Sequence, residues 1–287
     1  MTEADRYIPG VPCWVDTTQP DPDAAAAFYG GLFGWEMEDV SSPEARYFLA
    51  RLRGGDVAGI GGARDGRATW NTYVWVEDAD ETAVKVRDAG GSVLLEPGDI
   101  GDSGRMAVCA DPAGAAFTVW QAKAHRGAAI VNEHGSLNFN NLHTRDVEGA
   151  RAFYGAVFGW ELLEMGAGFF SWALGGYGDF LEQRNPGNRE RMAAAGAPER
   201  FEDVVASVAP IADDQPDVAP HWGLTFAVDD ADAIAARATE LGGRVLVPPF
   251  DAPWVRMTII ADPQGATFTA SRFVPENADL PADAAGR

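Results

Sequence analysis

The phrase AFYGGLFGWE begins at Ala27, and AFYGAVFGWE begins at Ala152, 125 positions on (152 minus 27). Near-identical phrases that far apart in a chain of 287 residues point to a duplicated structural unit, and the length suits two domains with a core each. In the first copy Ala25, Phe28, Tyr29, Leu32 and Phe33 fall on one face of a 3.6-residue period. Asp21 and Pro22 make a cap and first-turn pair, and Gly34 is a stop. The second copy repeats the stripe with Ala150, Phe153, Tyr154, Val157 and Phe158, capped by Asp146 and ended by Gly159.

A second pair of helices is expected in EDADETAVKVRDAGGSV and DDADAIAARATELGGRV. Each has a capping Asp (Asp78, Asp230) and a closing Gly-Gly. Strand-like runs precede the four helices: PCWVDTT, NTYVWVE, SLNFNNL and WGLTFAV. Glycine-broken β segments follow them, including the matched pair RMAVCADPAGAAFTVWQ and RMTIIADPQGATFTASR. Strand, helix and several strands, four times over, predicts an α+β fold with mainly antiparallel sheets. The caps Asp21 and Asp78 stand 57 residues apart, but Asp146 and Asp230 stand 84 apart, so about 27 extra residues lie in the second half. They are expected near 185–220, where NRERMAAAG and FEDVVASVA read as helical, as a lid, a bridging element or a tolerated surface excursion.

The formal charge of −21 argues against nucleic acid or an anionic membrane as partner. Cys13 and Cys109 lie in apolar runs and read as buried thiols in a reducing, cytoplasmic setting. No apolar run approaches a membrane span or a signal peptide.

Four such modules, with the AFY…FGW helix and the DPxGAxFT strand, resemble the glyoxalase/bleomycin resistance/extradiol dioxygenase (vicinal oxygen chelate) superfamily, and among it the tandem-domain glyoxalase-like proteins of actinobacteria. The resemblance implies four βαβββ modules in two domains, 7–123 and 135–273; the stretch 124–134 between them has lost periodicity and reads as a linker, and the small, polar, proline-interrupted tail at 274–287 is expected to be disordered. The resemblance further implies that paired modules curl their sheets into a cup. Catalytic members place metal ligands on the first strand, seven residues before the capping Asp, and a glutamate on the last strand, seven after the Asp of the DPxG turn. Here those positions hold Trp14, Asn71, Phe139 and Gly223, then Thr118 and Thr269. None is a usual ligand apart from the weak amide oxygen of Asn71. No metal or other cofactor is therefore expected. A displaced site would have to draw on His221 and Glu182.

Strand alternation turns Trp14, Asp16 and, in the second half, Phe139, Asn141 and His143 inward. An aromatic side chain followed two residues later by a carboxylate or amide suits a ligand with a flat or apolar part and one polar group. Trp14 and Phe139 either stack on such a ligand or plug the cup, and Asp16 either orients it or bonds to backbone. Asn71, Tyr73, Thr118, His221 and Thr269 complete the candidate lining, with Trp75, Trp222, Phe250 and Trp254 near the mouths. Arg105 and Arg256, each six residues before a DP turn, either hold a carboxylate or enolate or pair with an acid. Two functions stand: a small-molecule-binding protein, monomeric or homodimeric, or a lyase, isomerase or oxygenase. In the second, proton transfer would rest on Asp16, His143 or His221.

Overall fold

The computed structural model describes residues 6–43, 45–63, 65–165 and 169–280. The repeat resolves into four modules. The first is β1 (Pro12–Gln19), α1 (Pro22–Phe33), β2 (Glu36–Asp39), β3 (Tyr47–Leu52) and β4 (Gly55–Gly62). The second is β5 (Thr69–Trp75), α2 (Ala79–Asp88), β6 (Ser92–Ile100), β7 (Gly104–Ala110) and β8 (Ala116–Ala122). The third is β9 (Ser136–Thr144), α3 (Val147–Phe158), β10 (Trp160–Glu164), β11 (Phe170–Leu174), α4 (Tyr177–Arg184), α5 (Asn188–Ala194) and β12 (Val204–Pro210). The fourth is β13 (His221–Ala227), α6 (Ala231–Glu240), β14 (Arg244–Ala252), β15 (Val255–Ala261) and β16 (Thr267–Phe273). The fold is α+β with two mixed eight-stranded sheets, ordered β2-β3-β4-β1-β5-β8-β7-β6 and β10-β11-β12-β9-β13-β16-β15-β14. In every module the first strand pairs in parallel with the last.

The capping residues act as the sequence implies. Asp21, Asp78, Asp146 and Asp230 accept hydrogen bonds from first-turn amides, and Gly34 and Gly159 end their helices in the left-handed region. The insertion lies earlier than expected. β3 and β4 are joined by the two-residue turn Arg53–Gly54, whereas β11 and β12 are separated by 175–203, which contains α4, α5 and a 3₁₀ turn at Phe201–Asp203. FEDVVASVA is therefore that 3₁₀ turn running into strand β12, not a helix, because its β-branched valines take up pairing with β11 and β9. The start of the tail is also anchored: the Asn277 side chain donates to Asp251 Oδ1 and the Val255 carbonyl. Residues 281–287 of that tail lie outside the described residues.

Packing divides the chain into two units of interleaved segments. One holds 1–13, 73–126 and 140–222, and the other 14–72, 127–139 and 223–287. Each unit buries one copy of the repeated phrase. In the second, Phe28, Tyr29, Leu32 and Phe33 of α1 pack with Phe226 and Phe268. In the first, Phe153, Tyr154 and Val157 of α3 pack with Phe117, Trp160 and Trp172.

At the centre of each core lies a polar chain. The buried Tyr29 hydroxyl accepts from Trp70 Nε1 at 3.0 Å and donates to Asp262 Oδ2 at 2.9 Å. The Tyr154 hydroxyl accepts from Trp222 Nε1 at 2.9 Å and donates to Asp111 Oδ2 at 3.1 Å. Asp111 and Asp262 are the acids of the two DPxG turns, and their Oδ1 atoms also receive backbone amides of those turns. The tyrosine of AFY and the aspartate of DPxG are thus one interaction, which satisfies polar groups that burial would otherwise penalise.

Candidate functional site

The face of β1 that packs on the helices is fixed by Val15 in the core and by Gln19, whose Nε2 donates to Asp262. Alternation then puts Trp14 and Asp16 on the opposite face. There, within one unit, Asp16 is only 5% exposed and sits at the middle of a polar cluster. Its Oδ1 accepts from Asn71 Nδ2 at 2.8 Å, and its Oδ2 accepts from the Tyr47 hydroxyl at 3.0 Å. The same hydroxyl receives Trp14 Nε1 at 3.4 Å. Burial, with the Asp16 charge beside it, pushes the Tyr47 phenol well above its ordinary pKa, so it stays protonated and donating.

Gly59 makes this approach possible. It pairs with Asp16 across β1 and β4, and a Cβ there would lie 2.0 Å from the Tyr47 hydroxyl oxygen. The sequence reading picked out Trp14, Asp16 and Asn71 but missed Tyr47 and Gly59. The glycines of VAGIGG were the available signal, since a strand without side chains at alternate positions admits a neighbour's ring. Phe139 and Thr269 belong to the same unit, both half-buried, with Thr269 beside Thr225 in the β13–β16 register.

The other candidates lie in the other unit. Asn141 occupies the register position that Asp16 holds in the first sheet. Ser207 stands where Gly59 does, and its hydroxyl donates to Asn141 Oδ1 at 2.5 Å. Tyr73 and Thr118 are buried neighbours on β5 and β8, with Tyr73 edge-on to Trp120. His143 and His221 are brought together as a parallel stack, with centroids 4.5 Å apart and planes 3° apart. The Nδ1 of His221 lies 2.8 Å from the Ala219 carbonyl, to which it donates as the Nδ1–H tautomer.

Burial, and then the adjacent His221, lowers the His143 pKa to about 4. A histidine depressed from its ordinary 6.5 contributes stability that is present above pH 6.5 and lost as the pH falls towards 4. The urea midpoint is therefore expected to drop between pH 7 and pH 4.5. His143→Phe should flatten that drop, and an unchanged pH profile in the variant would contradict the assignment.

One expectation needs correction, and two open alternatives are decided. Arg105 and Arg256 take the acid-pairing alternative. Each points to the helix side and forms a two-pronged pair with an acid in the first helical turn, Arg105 with Asp80 (2.6 and 2.8 Å) and Arg256 with Asp232 (2.6 and 2.9 Å). Strand phase explains it: Arg105, Ala107 and Cys109 alternate onto the face buried against α2. Trp222 lies in the core against Tyr154, not at a mouth. Glu182 accepts the Gly187 and Arg189 amides at the start of α5, which holds its carboxyl below the usual range.

The donor chemistry at the positions where metal-dependent relatives carry ligands does not fit a metal. Trp14, Phe139 and Gly223 offer no side-chain ligand atom, Thr118 and Thr269 offer only a neutral hydroxyl, and Asn71 offers only a weak amide oxygen, its nitrogen donating to Asp16. Among the described residues no three His, Cys, Asp or Glu side chains converge on a point that could hold an ion. No helix among them is long and apolar enough to cross a membrane.

A family model described as the Glyoxalase/Bleomycin resistance protein/Dioxygenase superfamily matches residues 136–269, and a Glyoxalase-like domain model matches 14–120. The chain is 39% identical over 284 residues to a protein of Mycobacterium bovis named "Putative glyoxylase CFP32", covering 96% of this chain and 100% of that one. It is 34% identical over 281 residues to "Anthracycline biosynthesis protein DnrV" of Streptomyces peucetius, covering 92% and 94%. Among solved structures, the Mn(II)-bound glyoxalase from Novosphingobium aromaticivorans superposes with a TM-score of 0.59 at 15% identity, over 92% of this chain and 83% of that one. The 2,3-dioxygenase LapB from Pseudomonas sp. KL28 gives 0.58 at 14%, over 93% of both. At those identities the solved structures bear on the fold alone.

Proposed function

Given that the chain belongs to the glyoxalase/bleomycin resistance protein/dioxygenase superfamily, we propose that it binds a small, partly aromatic metabolite or drug without the metal of its catalytic relatives. The ligand's hydrogen-bond-donating group is received at the Asp16 carboxylate. The observation that carries this reading is the Asp16 cluster itself. A buried carboxylate is costly unless its surroundings are built to hold it, and here Asn71, Tyr47 and Trp14 are organised around it where relatives would coordinate an ion. The Trp14 ring, two residues before the acid and itself only 3% exposed, closes the apolar side of that acceptor. A relative named for anthracycline biosynthesis adds support for a ring-bearing ligand. The protein works in this reading as a cytoplasmic monomer or homodimer.

The same cluster favours one second reading, metal-independent proton transfer in a lyase or isomerase. Asp16 would take a proton from the bound molecule, and the Tyr47 phenol, held protonated, would stabilise the charge that results.

The test is a thermal-shift screen of hydroxylated and aromatic metabolites on protein stripped of metal and on protein supplied with Zn, Mn, Fe or Ni. A ligand at about 100 times its Kd stabilises a protein by about 2.7 kcal/mol. A shift that is indifferent to chelator and lost in Asp16→Asn is expected. A shift that appears only with metal, or metal-dependent turnover of the methylglyoxal–glutathione adduct or of a catechol, would overturn the proposal. Metal-free turnover of the stabilising ligand would select the second reading.

A further inference from the structure

The modules are duplicates, so a feature that one carries and its sister lacks has no explanation in the shared fold. The end of β16 is such a place, and its surroundings lie within one unit. Phe273 stands eleven residues after Asp262 (273 minus 262) and is 58% exposed, whereas the position eleven after Asp111 (122 minus 111) is Ala122. The register agrees, since Phe273 pairs with Val255 and Ala122 with Gly104. Trp254, in the turn between β14 and β15, lies parallel to Phe273, with ring centroids 6.3 Å and planes 1° apart. Its backbone is left-handed at φ 68°, a region that a bulky side chain disfavours, while the turn between β6 and β7 takes its left-handed residue from Gly101 at φ 50°. The strained tryptophan is held from outside: its carbonyl receives the Val274 amide at 2.7 Å, and the Asn277 side chain donates to the Val255 carbonyl beside it. Strain that the surroundings keep in place calls for a role of the side chain, and this ring is half-exposed at the surface.

The charges at this end differ between the copies as well. Arg272 holds the position of Gln121, whose side chain accepts the Ala79 amide at the start of α2. Arg272 and Glu276 are exposed and make no ion pair among the described residues, whereas Arg256, opposite Arg272 in register, is matched by Asp232 and Asp251. We propose that this end of the fourth module is the contact surface of a homodimer, covered by the same patch of a second copy. Trp, Phe and Arg around a small apolar area are the residue types that dominate the centres of protein interfaces. Two rings already stacked on each other offer an outer face rather than a cleft, which suits a protein surface and not a small molecule. The patch carries one cation and one anion, so a twofold axis sets Arg272 of each copy against Glu276 of the other, whereas a partner of single charge sign would face a like charge. The net charge of −21 repels copies over most of the surface, which leaves a matched patch as the place where they meet.

The experiment is sedimentation velocity of the full chain across about 1–100 μM at physiological ionic strength. A species of twice the chain's 30.6 kDa is expected to grow with concentration. Phe273→Asp should weaken the dimer at least tenfold. Trp254→Gly should weaken it too, yet raise the thermal midpoint of the monomer, because glycine relieves the left-handed strain. Arg272→Glu should weaken association at least fivefold, and adding Glu276→Arg should restore it to within twofold. Val84→Asp, at an exposed valine of α2 in the other unit, should leave it unchanged. Arg272 and Glu276 are exposed, so the charge exchange keeps the test decisive if an aromatic variant unfolds. A chain that stays monomeric throughout overturns the proposal and leaves the patch to a different protein. A dimer indifferent to Phe273→Asp, or a charge exchange that does not restore association, overturns it as well.

Discussion

Tyr154→Phe is expected to lower unfolding stability by about 3 kcal/mol, and Tyr29→Phe by about 2 kcal/mol, for side chains that differ from the native by one oxygen. Each tyrosine hydroxyl holds a tryptophan N–H on one side and an aspartate oxygen on the other, so its removal leaves two buried groups short of a partner. A buried group left unsatisfied costs roughly 1–3 kcal/mol, more than the hydrogen bond contributed net. The two sites differ in what remains. Asp262 Oδ2 keeps Gln19 Nε2 at 2.6 Å, whereas the matching position in the other module is Thr144, and Asp111 Oδ2 receives no second side-chain donor among the described residues.

The Asp111 carboxyl shows that shortage. Burial raises its pKa, opposed by the Ala115 amide and the Tyr154 hydroxyl, so loss of the hydroxyl raises it further. An acid raised above its unfolded value contributes stability below that value and loses it as the pH climbs through the folded pKa. The Tyr154→Phe penalty is therefore expected to be larger at pH 7 than at pH 4. Urea melts of both variants at both pH values check this, together with the double variant carrying Asp111→Asn. Equal penalties for the two tyrosines, or a Tyr154→Phe penalty that grows on acidification, would contradict the account.

Those tyrosines show how far the sequence can be read. Their helices, caps and stops were legible because each rests on a local rule: a period of 3.6, an Asp before it and a Gly after it. The DPxG turns were legible as motifs too. That Tyr154 meets Asp111 and Tyr29 meets Asp262 was not, because 43 and 233 residues separate the partners and nothing local reports a long-range hydrogen bond. The same limit applied to the candidate site. Alternation along β1 correctly turned Trp14 and Asp16 away from the helices, since Val15 and Gln19 are consumed by the core. Applied to Arg105 and Arg256, equal spacing from the DP turn suggested a shared role and left the face undetermined. The acids that decided it, Asp80 and Asp232, lie on helices 24 to 25 residues earlier. The insertion was sized correctly from cap spacing but placed too late, because α4 begins directly after the Gly175–Gly176 turn that ends β11.

Gly59→Ala is the substitution with the largest expected effect on the Asp16 site. The added Cβ would meet the Tyr47 hydroxyl oxygen at 2.0 Å, the ring carbon bearing it at 2.6 Å and Asp16 Cβ at 2.9 Å. Contacts that short cannot persist, and the Tyr47 hydroxyl is held between Asp16 and Trp14, so relief must come from displacing the phenol from Asp16 or spreading β1 from β4. Overpacking of this kind costs about 1–3 kcal/mol in stability. Its effect on binding should be greater, a loss of at least tenfold for any ligand held at Asp16, because the carboxylate loses the donor that fixes its orientation. Ser207→Ala is the matched control. It stands at the equivalent register position, removes the hydroxyl that donates to Asn141, and introduces no clash, so it should cost about 1 kcal/mol and leave binding at Asp16 unchanged. Tyr47→Phe separates the two effects of Gly59→Ala, since it deletes the hydroxyl without moving the strand. If Tyr47→Phe alone reproduces the binding loss, the phenol acts by orienting Asp16. If Gly59→Ala leaves ligand affinity as in the native chain, the Asp16 cluster is a structural device of the first sheet and the ligand is held elsewhere.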